Sequence, residues 1–588
     1  MAAGKCGRWQ KIAKLAPGQV NDYYGTRQFL REVNSVMHGR RQFLRNSLLG
    51  TGALLVARSS PFSFAADTPP DSRIDILLGE PLGTISPDIY GHFVENLSGV
   101  VYDGIWVGEN SKVPNIKGIR KELVDEMKKI KPSVVRFPGG CFADSYDWRD
   151  GIGPSDKRPK RTNFWAEGEA ASAPSAHRYD PNQFGTNEFA QFCKLIGSQP
   201  YLAANVRSLP AVEFYRWVEY CNSPAGTTLA ERRAAAGYPE PFNVRYWGVG
   251  NESWGCGGDF TAQEYAVEFR RYTTWVPHYG QPLSFIASGP NDDNREWTRS
   301  FLEEIVRKGP RQLNSIYGLA LHYYAWNLSR GRTKDWNEGK GDALKFDTID
   351  WYELLRQGDV MESLINAHWE IMGEFDKERH VKLVVDEWGP WYRPGSELTP
   401  GDQLEQVPTL RDAVFSGMTL DTFNRHPEKV TMANCAQLIN CLNSLYLAHE
   451  DKFCITPVGH VFAMYASHQG GQSIRTVFNT PEVSYDRDGK PASFWGLKGS
   501  ASVQSKALVL TVVNPHATEP REAQIGLRGG TAQSGTVTTL TNSDIHAHNS
   551  FEQRTAVSPQ TKNIAASGNT LHYTFPPASV SKIALTLG

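Results

Sequence analysis

The chain has 588 residues, 40% of them hydrophobic and 21% charged, with a formal net charge of −1. That length exceeds one ordinary domain, and the composition is that of a globular protein with a large packed core. So even a charge balance argues against a nucleic-acid or anionic-membrane binder that works by electrostatics.

The first 66 residues differ from the rest. GRRQFLRNSLLGTGALLVARSSPFSFAA has the pattern of a twin-arginine export signal, with Arg40-Arg41 ahead of Phe43-Leu44, an apolar run from Leu48 to Ala57, and small residues Ser63 and Ala65 for a signal peptidase. The run is about half the roughly 20 residues that a membrane-spanning helix needs. Export to the periplasm or beyond is therefore the expectation, with no membrane association once the signal is removed. Met37 is an alternative start.

Downstream, apolar strand-like runs alternate with helical patterns. The candidate strands are IYGHFVE (89–95), SVVRFPGG (133–140), YLAANVRS (201–208), VRYWGVGNE (244–252), LSFIASG (283–289), YGLALHYYA (317–325) and KLVVDEWG (382–389). Between them, IKGIRKELVDEMKKI (116–130) and NEFAQFCKLIG (187–197) place apolar residues at helical spacing. Thr261 and Glu264 form a capping box ahead of YAVEFRRY, which makes Glu264 a helix start rather than a catalyst. Strands that are apolar throughout, each followed by a helix, imply a parallel sheet covered on both sides. Seven or eight such units fit an α/β fold of the (β/α)8 TIM barrel type. A doubly wound open sheet is the rival, but GVGNES supplies only GxG, with Ser253 where the third glycine of a nucleotide fingerprint should stand.

From about residue 457 the texture changes. ALVLTVVNP, SGTVTTLTN, LHYTFP and SVSKIALTL are short, Thr/Val-rich and separated by turn residues, as in a C-terminal antiparallel β-sandwich of jelly-roll-like form. RIDILLGEPLG (73–83) shares that texture. The expected organisation is a signal region over 1–66, a strand over 67–88 joining the later sheet, a catalytic barrel over 89–456 and a sandwich over 457–588. Eight cysteines contain no CxxC, and no His/Cys/Asp cluster has metal-ligand spacing, so neither metal nor organic cofactor is implied. Cys141 and Cys256 both fall in Gly-rich loops, and whether they pair is left open.

In a barrel of this kind, chemistry sits where strands end at the C-terminal face. Glu95, Arg136, Glu252, His322 with Tyr323 and Tyr324, and Asp386 with Glu387 all stand at such ends. Glu252 and Glu387 each follow an apolar run and precede a Trp. Two carboxylates on separate strands suit glycoside hydrolysis, which needs one acid to protonate the leaving oxygen and one carboxylate to attack or to activate water. Alternation along a strand points Asp386 away from Glu387 and leaves it a structural role.

YGHFVEN, RFPGGCFADSYDWRDGIGP, WGVGNES, LHYYAW, VVDEWGPWY and ANCAQLINCLN occur in the order and at roughly the spacing of glycoside hydrolase family 51, which the chain resembles from about residue 75 to its C-terminus. The resemblance implies a retaining, exo-acting α-L-arabinofuranosidase acting on arabinan, arabinoxylan or arabino-oligosaccharides. It implies Glu252 as acid/base and Glu387 as nucleophile, their carboxyl groups about 5–5.5 Å apart. Asn251, Glu95 and Gln437 then correspond to sugar-binding positions, Arg136 and Tyr324 to groups beside the nucleophile, and His322, Trp254 and Trp388 to supporting positions. Cys141 stands where many members carry a sugar-contacting Asn, and Ser253-Trp254-Gly255 where many carry Met-Asp-Gly. A homo-oligomer is a further implication. The alternatives are another retaining glycosidase on the same scaffold (a β-xylosidase or an endo-glucanase) and a non-catalytic carbohydrate-binding protein.

Overall fold

A computed structural model describes residues 71–166, 178–399 and 401–588; the twin-arginine segment lies outside the described residues. The first strand, β1 (Ser72–Thr84), is followed by β2 (Gly91–Phe93), β3 (Val134–Phe137), β4 (Gln199–Ala204), β5 (Tyr246–Val249), β6 (Ser284–Ala287), β7 (Gly318–Ala325), β8 (Lys382–Pro390) and β9 (Val430–Ala436). Strands β2 to β9 pair in chain order, all parallel, and β9 returns to β2 to close a barrel.

Both faces of these strands are buried, which is why they read as unbroken apolar runs. Inside the barrel, Val134, Tyr201, Tyr246, Ile286, Ala320, Val384 and Met432 meet as one cluster, a single side chain from each of seven strands. The eighth strand contributes Gly91, where an added Cβ would stand 2.6 Å from Val134 Cγ1. Alternate residues such as Val135, Leu202, Trp247 and Val385 join the larger core beneath the surrounding helices.

The helix expected over 116–130 begins only at Lys121 and ends at Ile130. Ile116 and Ile119 instead pair across a two-stranded ladder, because Lys117 and Gly118 take positive φ values of 51° and 84°. The capping box is formed as the sequence indicates: Glu264 N donates to Thr261 Oγ1 at 3.3 Å, and Thr261 N donates to Glu264 Oε2 at 2.8 Å. VTMANCA, not singled out as a strand in the sequence, is β9. PVGHVFAMY, grouped there with the later sheet, is a helix (Pro457–Tyr465) capped by Thr456. No helix of the described residues is long and apolar enough to cross a membrane.

Apart from short two-stranded ladders, the later strands are β10 (Gln472–Asn479), β11 (Lys498–Gln504), β12 (Ala507–Asn514), β13 (Arg521–Arg528), β14 (Ala532–Leu540), β15 (Gln560–Ile564), β16 (Thr570–Phe575) and β17 (Ser579–Leu587). With β1 they hydrogen-bond in the order β15-β14-β17-β12-β11-β10-β1-β13-β16. β1 runs antiparallel to β10 and parallel to β13, so it splices the two halves into one continuous sheet. Ile74, Ile76, Leu510, Ile525, Leu571 and Ile583 share the core on which that sheet folds.

Barrel and sheet meet through a buried polar network. Asp421, on the helix Leu410–Arg425, accepts hydrogen bonds from Ser500 Oγ (2.6 Å) and Thr511 Oγ1 (2.5 Å) of the sheet and from Tyr465 Oη (2.8 Å). Burial pushes its pKa up to about 7, against the lowering effect of those hydroxyls. Folding therefore favours the protonated acid, and the stability it contributes is complete below about pH 4, the unfolded value, and lost as pH rises through 7. The melting temperature should accordingly climb as pH falls from 8 to 5, and Asp421→Asn should climb less; equal slopes would contradict the assignment. Asp421→Ala, which takes an acceptor away from all three hydroxyls, should cost about 3 kcal/mol in denaturant unfolding.

Candidate active site

The C-terminal ends of the barrel strands converge on Arg136, whose side chain is fully buried. It lies over the Phe93 ring (4.5 Å to the centroid). Its Nη1 donates to Glu387 Oε1 at 2.8 Å and its Nη2 to Asn251 Oδ1 at 2.5 Å, while Nε lies 3.4 Å from Asp386 Oδ2. Burial works against its charge, but Asp386 and Glu387 outweigh that and raise its pKa.

Glu387 takes a second hydrogen bond on Oε2 from Tyr324 Oη at 2.7 Å. Burial would raise its pKa; His322, Arg136 and Tyr324 more than offset this and hold the carboxyl below its ordinary range. His322 Nδ1 bridges the two glutamates, 3.0 Å from Glu252 Oε1 and 3.6 Å from Glu387 Oε2. Burial lowers the His322 pKa, yet the charges of Glu387 and Glu252 lift it above normal. Oxygens of Glu252 and Glu387 and a ring nitrogen of His322 all lie within 4.8 Å of one another. Carboxylate oxygens that approach this closely fall on the retaining side, short of the ~6.5–9.5 Å of an inverting pair.

Glu95 and Gln437 are hydrogen-bonded to each other nearby. Glu95 Oε1 accepts from Gly140 N (3.0 Å) and Phe142 N (3.1 Å), and Oε2 from Gln437 Nε2 (3.1 Å). Burial and then the nearby charge of Glu387 push Glu95 up to about 7. The two glycines of RFPGG let the backbone pass between these acids: a Cβ on Gly140 would stand 2.9 Å from Glu387 Oε1.

Cys141 and Cys256 are joined as a disulfide that ties the loop after β3 to the WGCGG turn after β5. Their sulfurs lie 3.8 and 3.7 Å from Glu252 Oε2. A disulfide sulfur carries no proton, so this is packing rather than hydrogen bonding. Two donor clusters with metal-ligand proximity occur among the described residues, Cys141/Glu252/Cys256 and Glu252/His322/Glu387. In the first both sulfurs are spent on each other, and in the second Arg136 and Tyr324 already occupy the Glu387 oxygens.

Asp386 departs from simple alternation. The β7–β8 and β8–β9 registers both shift around it, and it faces inward beside Arg136, accepting from Tyr201 Oη (2.7 Å) and Asn434 Nδ2 (2.9 Å). Trp388 is not brought to the site: it packs outward against Phe423 and Phe462. Trp254 does reach it. With Asn291, Asp292, Trp326, Trp336 and Trp391 it lines a cavity of about 370 Å³ that opens beside Glu252, His322 and Tyr324. Trp326 and Trp391 lie within the motifs LHYYAW and VVDEWGPWY, and their recurrence after strand ends was the available signal. Trp336 comes from the distant segment KDWNEGK, which carries none.

Family models described as "Alpha-L-arabinofuranosidase 1 domain" and "Alpha-L-arabinofuranosidase C-terminal domain" match residues 126–340 and 386–579. An intracellular exo-α-L-arabinofuranosidase of Bacteroides ovatus is 34% identical over 506 residues, 85% of this chain and 93% of its own. An intracellular exo-α-(1→5)-L-arabinofuranosidase of Bacillus subtilis is 26% identical over 86% of this chain and 97% of its own. The crystal structure of a family GH51 arabinofuranosidase from Xanthomonas axonopodis pv. citri superposes with a TM-score of 0.79 at 34% identity, covering 88% of this chain and all of that one. These relatives overturn one expectation from the sequence. The Bacteroides and Bacillus enzymes, and one from Acetivibrio thermocellus, are named intracellular, which points to the cytoplasm rather than to export.

Tyr324→Phe removes one of the donors that keep Glu387 ionised, so the carboxyl pKa should rise. The acid limb of kcat/KM against pH should move to higher pH, with about ten-fold lower activity at the optimum. An unmoved limb would contradict the role given to Tyr324.

Proposed function

The chain belongs to the α-L-arabinofuranosidases of glycoside hydrolase family 51, and on that premise we propose that Glu387 is its nucleophile and Glu252 its acid/base. The enzyme is a retaining, exo-acting α-L-arabinofuranosidase. The observation that carries the assignment is the contrast between the two carboxylates. Glu387 is buried and held ionised by Arg136 and Tyr324, whereas Glu252 is partly exposed at the Trp-lined cavity.

In the first step Glu387 attacks the anomeric carbon as Glu252 gives its proton to the glycosidic oxygen, the C–O bond breaks, and an arabinosyl ester forms on Glu387. In the second, Glu252 takes a proton from water, the water oxygen bonds to the anomeric carbon, and the ester carboxylate leaves. His322, hydrogen-bonded to Glu252 and next to Glu387, can follow the proton by strengthening its bond to whichever glutamate is anionic. Arg136 fixes the Asn251 amide by donating to its oxygen, so that Nδ2, 3.9 Å from the weakly accepting Cys256 sulfur, is the group that donates to a sugar hydroxyl. Glu95 and Gln437 recognise the other hydroxyls of a terminal arabinofuranose. The cavity lined by Trp254, Trp326, Trp336 and Trp391 takes the leaving group, a sugar of an arabinan, an arabinoxylan or an arabino-oligosaccharide. In this reading the barrel is the catalytic part, and the sheet built from β1 and β10–β17 supports it.

Glu387→Ala should lose about 10³-fold or more in kcat with terminal arabinofuranosides while still binding arabinose. Glu252→Ala should release one equivalent of a good leaving group in a burst and then stall. Absence of that burst, with kcat equally low for every leaving group, would sink the assignment of Glu252.

A further inference from the structure

Asp144 lies three residues beyond Cys141 in the loop after β3, and it is completely buried. Its carboxylate is not among the groups lining the substrate cavity, and no cation stands within 4 Å of it among the described residues. It is spent on backbone N–H groups instead. Oδ1 accepts from Val206 N (2.8 Å) and Arg207 N (3.2 Å), in the loop after β4, and Oδ2 accepts from Asn251 N (3.1 Å), at the end of β5. Its own carbonyl accepts from Arg207 Nε (3.2 Å) and Ser208 Oγ (3.1 Å). One side chain thus ties together the loops of three successive barrel strands. Burial pushes its pKa up to about 7, opposed by the three N–H donors.

What those bonds hold is the turn that presents Glu252. Glu252 has a left-handed backbone, φ 40°, uncommon for a residue with a side chain. Its carbonyl accepts from Gly255 N (2.8 Å) and Gly257 N (3.1 Å), so the WGCGG segment curls back over it. Gly257 passes so close that an added Cβ would stand 1.7 Å from the Asn251 carbonyl and 3.0 Å from Asp144 Oδ2. The acid/base therefore rides on a strained turn pinned from below by one carboxylate and closed from above by the Cys141–Cys256 bridge.

We propose that Asp144 is a positioning residue for proton transfer: through the Asn251 N–H it fixes the turn that aims the Glu252 carboxyl at the leaving oxygen. It touches neither substrate nor the reacting atoms. The role rests on Glu252 being the acid/base, and the test separates the two claims.

Asp144→Asn keeps the shape but replaces one acceptor oxygen by a donor, which must then oppose a backbone N–H. A general acid typically contributes 10²–10⁴-fold, and only where the leaving group needs its proton. Asp144→Asn should therefore lower kcat/KM at least ten-fold for an arabinobiose, whose leaving group is an alkoxide. It should change kcat/KM less than about two-fold for a dinitrophenyl arabinofuranoside, whose leaving group departs unprotonated. Glu252→Ala, run alongside, should show the same selective loss to a larger degree. Equal losses on both substrates, or no loss on either, would overturn the proposal while leaving Glu252 intact if its own variant stays selective. If Glu252→Ala is not selective, the acid/base reading itself fails. Asp144→Ser, which retains one acceptor, is measured in parallel. If both Asp144 variants lose the native melting transition, the residue is a stability element and the positioning claim falls.

Discussion

Everything at the mouth of the barrel is arranged around one buried cation. Arg136 has no exposed surface, and a lone guanidinium there would be severely destabilising. Two carboxylates on adjacent positions of β8 and one amide just beyond β5 resolve it, through Glu387, Asp386 and Asn251. The same contacts serve chemistry, since a nucleophile must stay ionised without being solvated. Asp386 carries the permanent share of the balance, locked by Tyr201 and Asn434. In the proposed mechanism Glu387 can thus surrender its charge to an ester while Arg136 keeps Asp386 as a partner.

The backbone around this centre is shaped to let acids approach closely. Gly140 has no room for a side chain because Glu387 stands where one would go, and Gly257 has none because Asn251 does. Both glycines are adjacent to the bridged cysteines, so the loop after β3 and the turn after β5 act as one clasp around Glu252. That clasp brings Cys141 to Glu252 as a packed disulfide sulfur. The Trp-lined cavity borders Glu252 directly.

Much of this was legible before any coordinates. Apolar runs ending in polar or charged groups mark the strand ends where Glu95, Arg136, Glu252, His322, Tyr324 and Glu387 converge, whereas Gln437 was implied only by the family resemblance. What escaped had a common physical origin: contacts between residues remote in sequence. Alternation misdirected Asp386 because register shifts on both sides of β8 turn it inward. Trp388 follows Glu387 directly, yet β8 aims it at Phe423 and Phe462 outside the barrel. Trp336 and Asp144 bear no local signature, since each acquires meaning only from what the fold sets beside it. The role of β1 as a splice between two halves of the later sheet depends on one parallel pairing that no local pattern encodes.

In the proposed mechanism Glu387 becomes covalently arabinosylated beside Glu252. This step is tested most directly by treating Glu252→Ala enzyme with a dinitrophenyl arabinofuranoside, then digesting the stalled protein and mapping the added mass. One arabinosyl group per chain is expected on the peptide carrying Asp386-Glu387, with fragmentation assigning it to Glu387. A label on Asp386 or on any other residue, or stoichiometric release of dinitrophenol with no label at all, would contradict the mechanism.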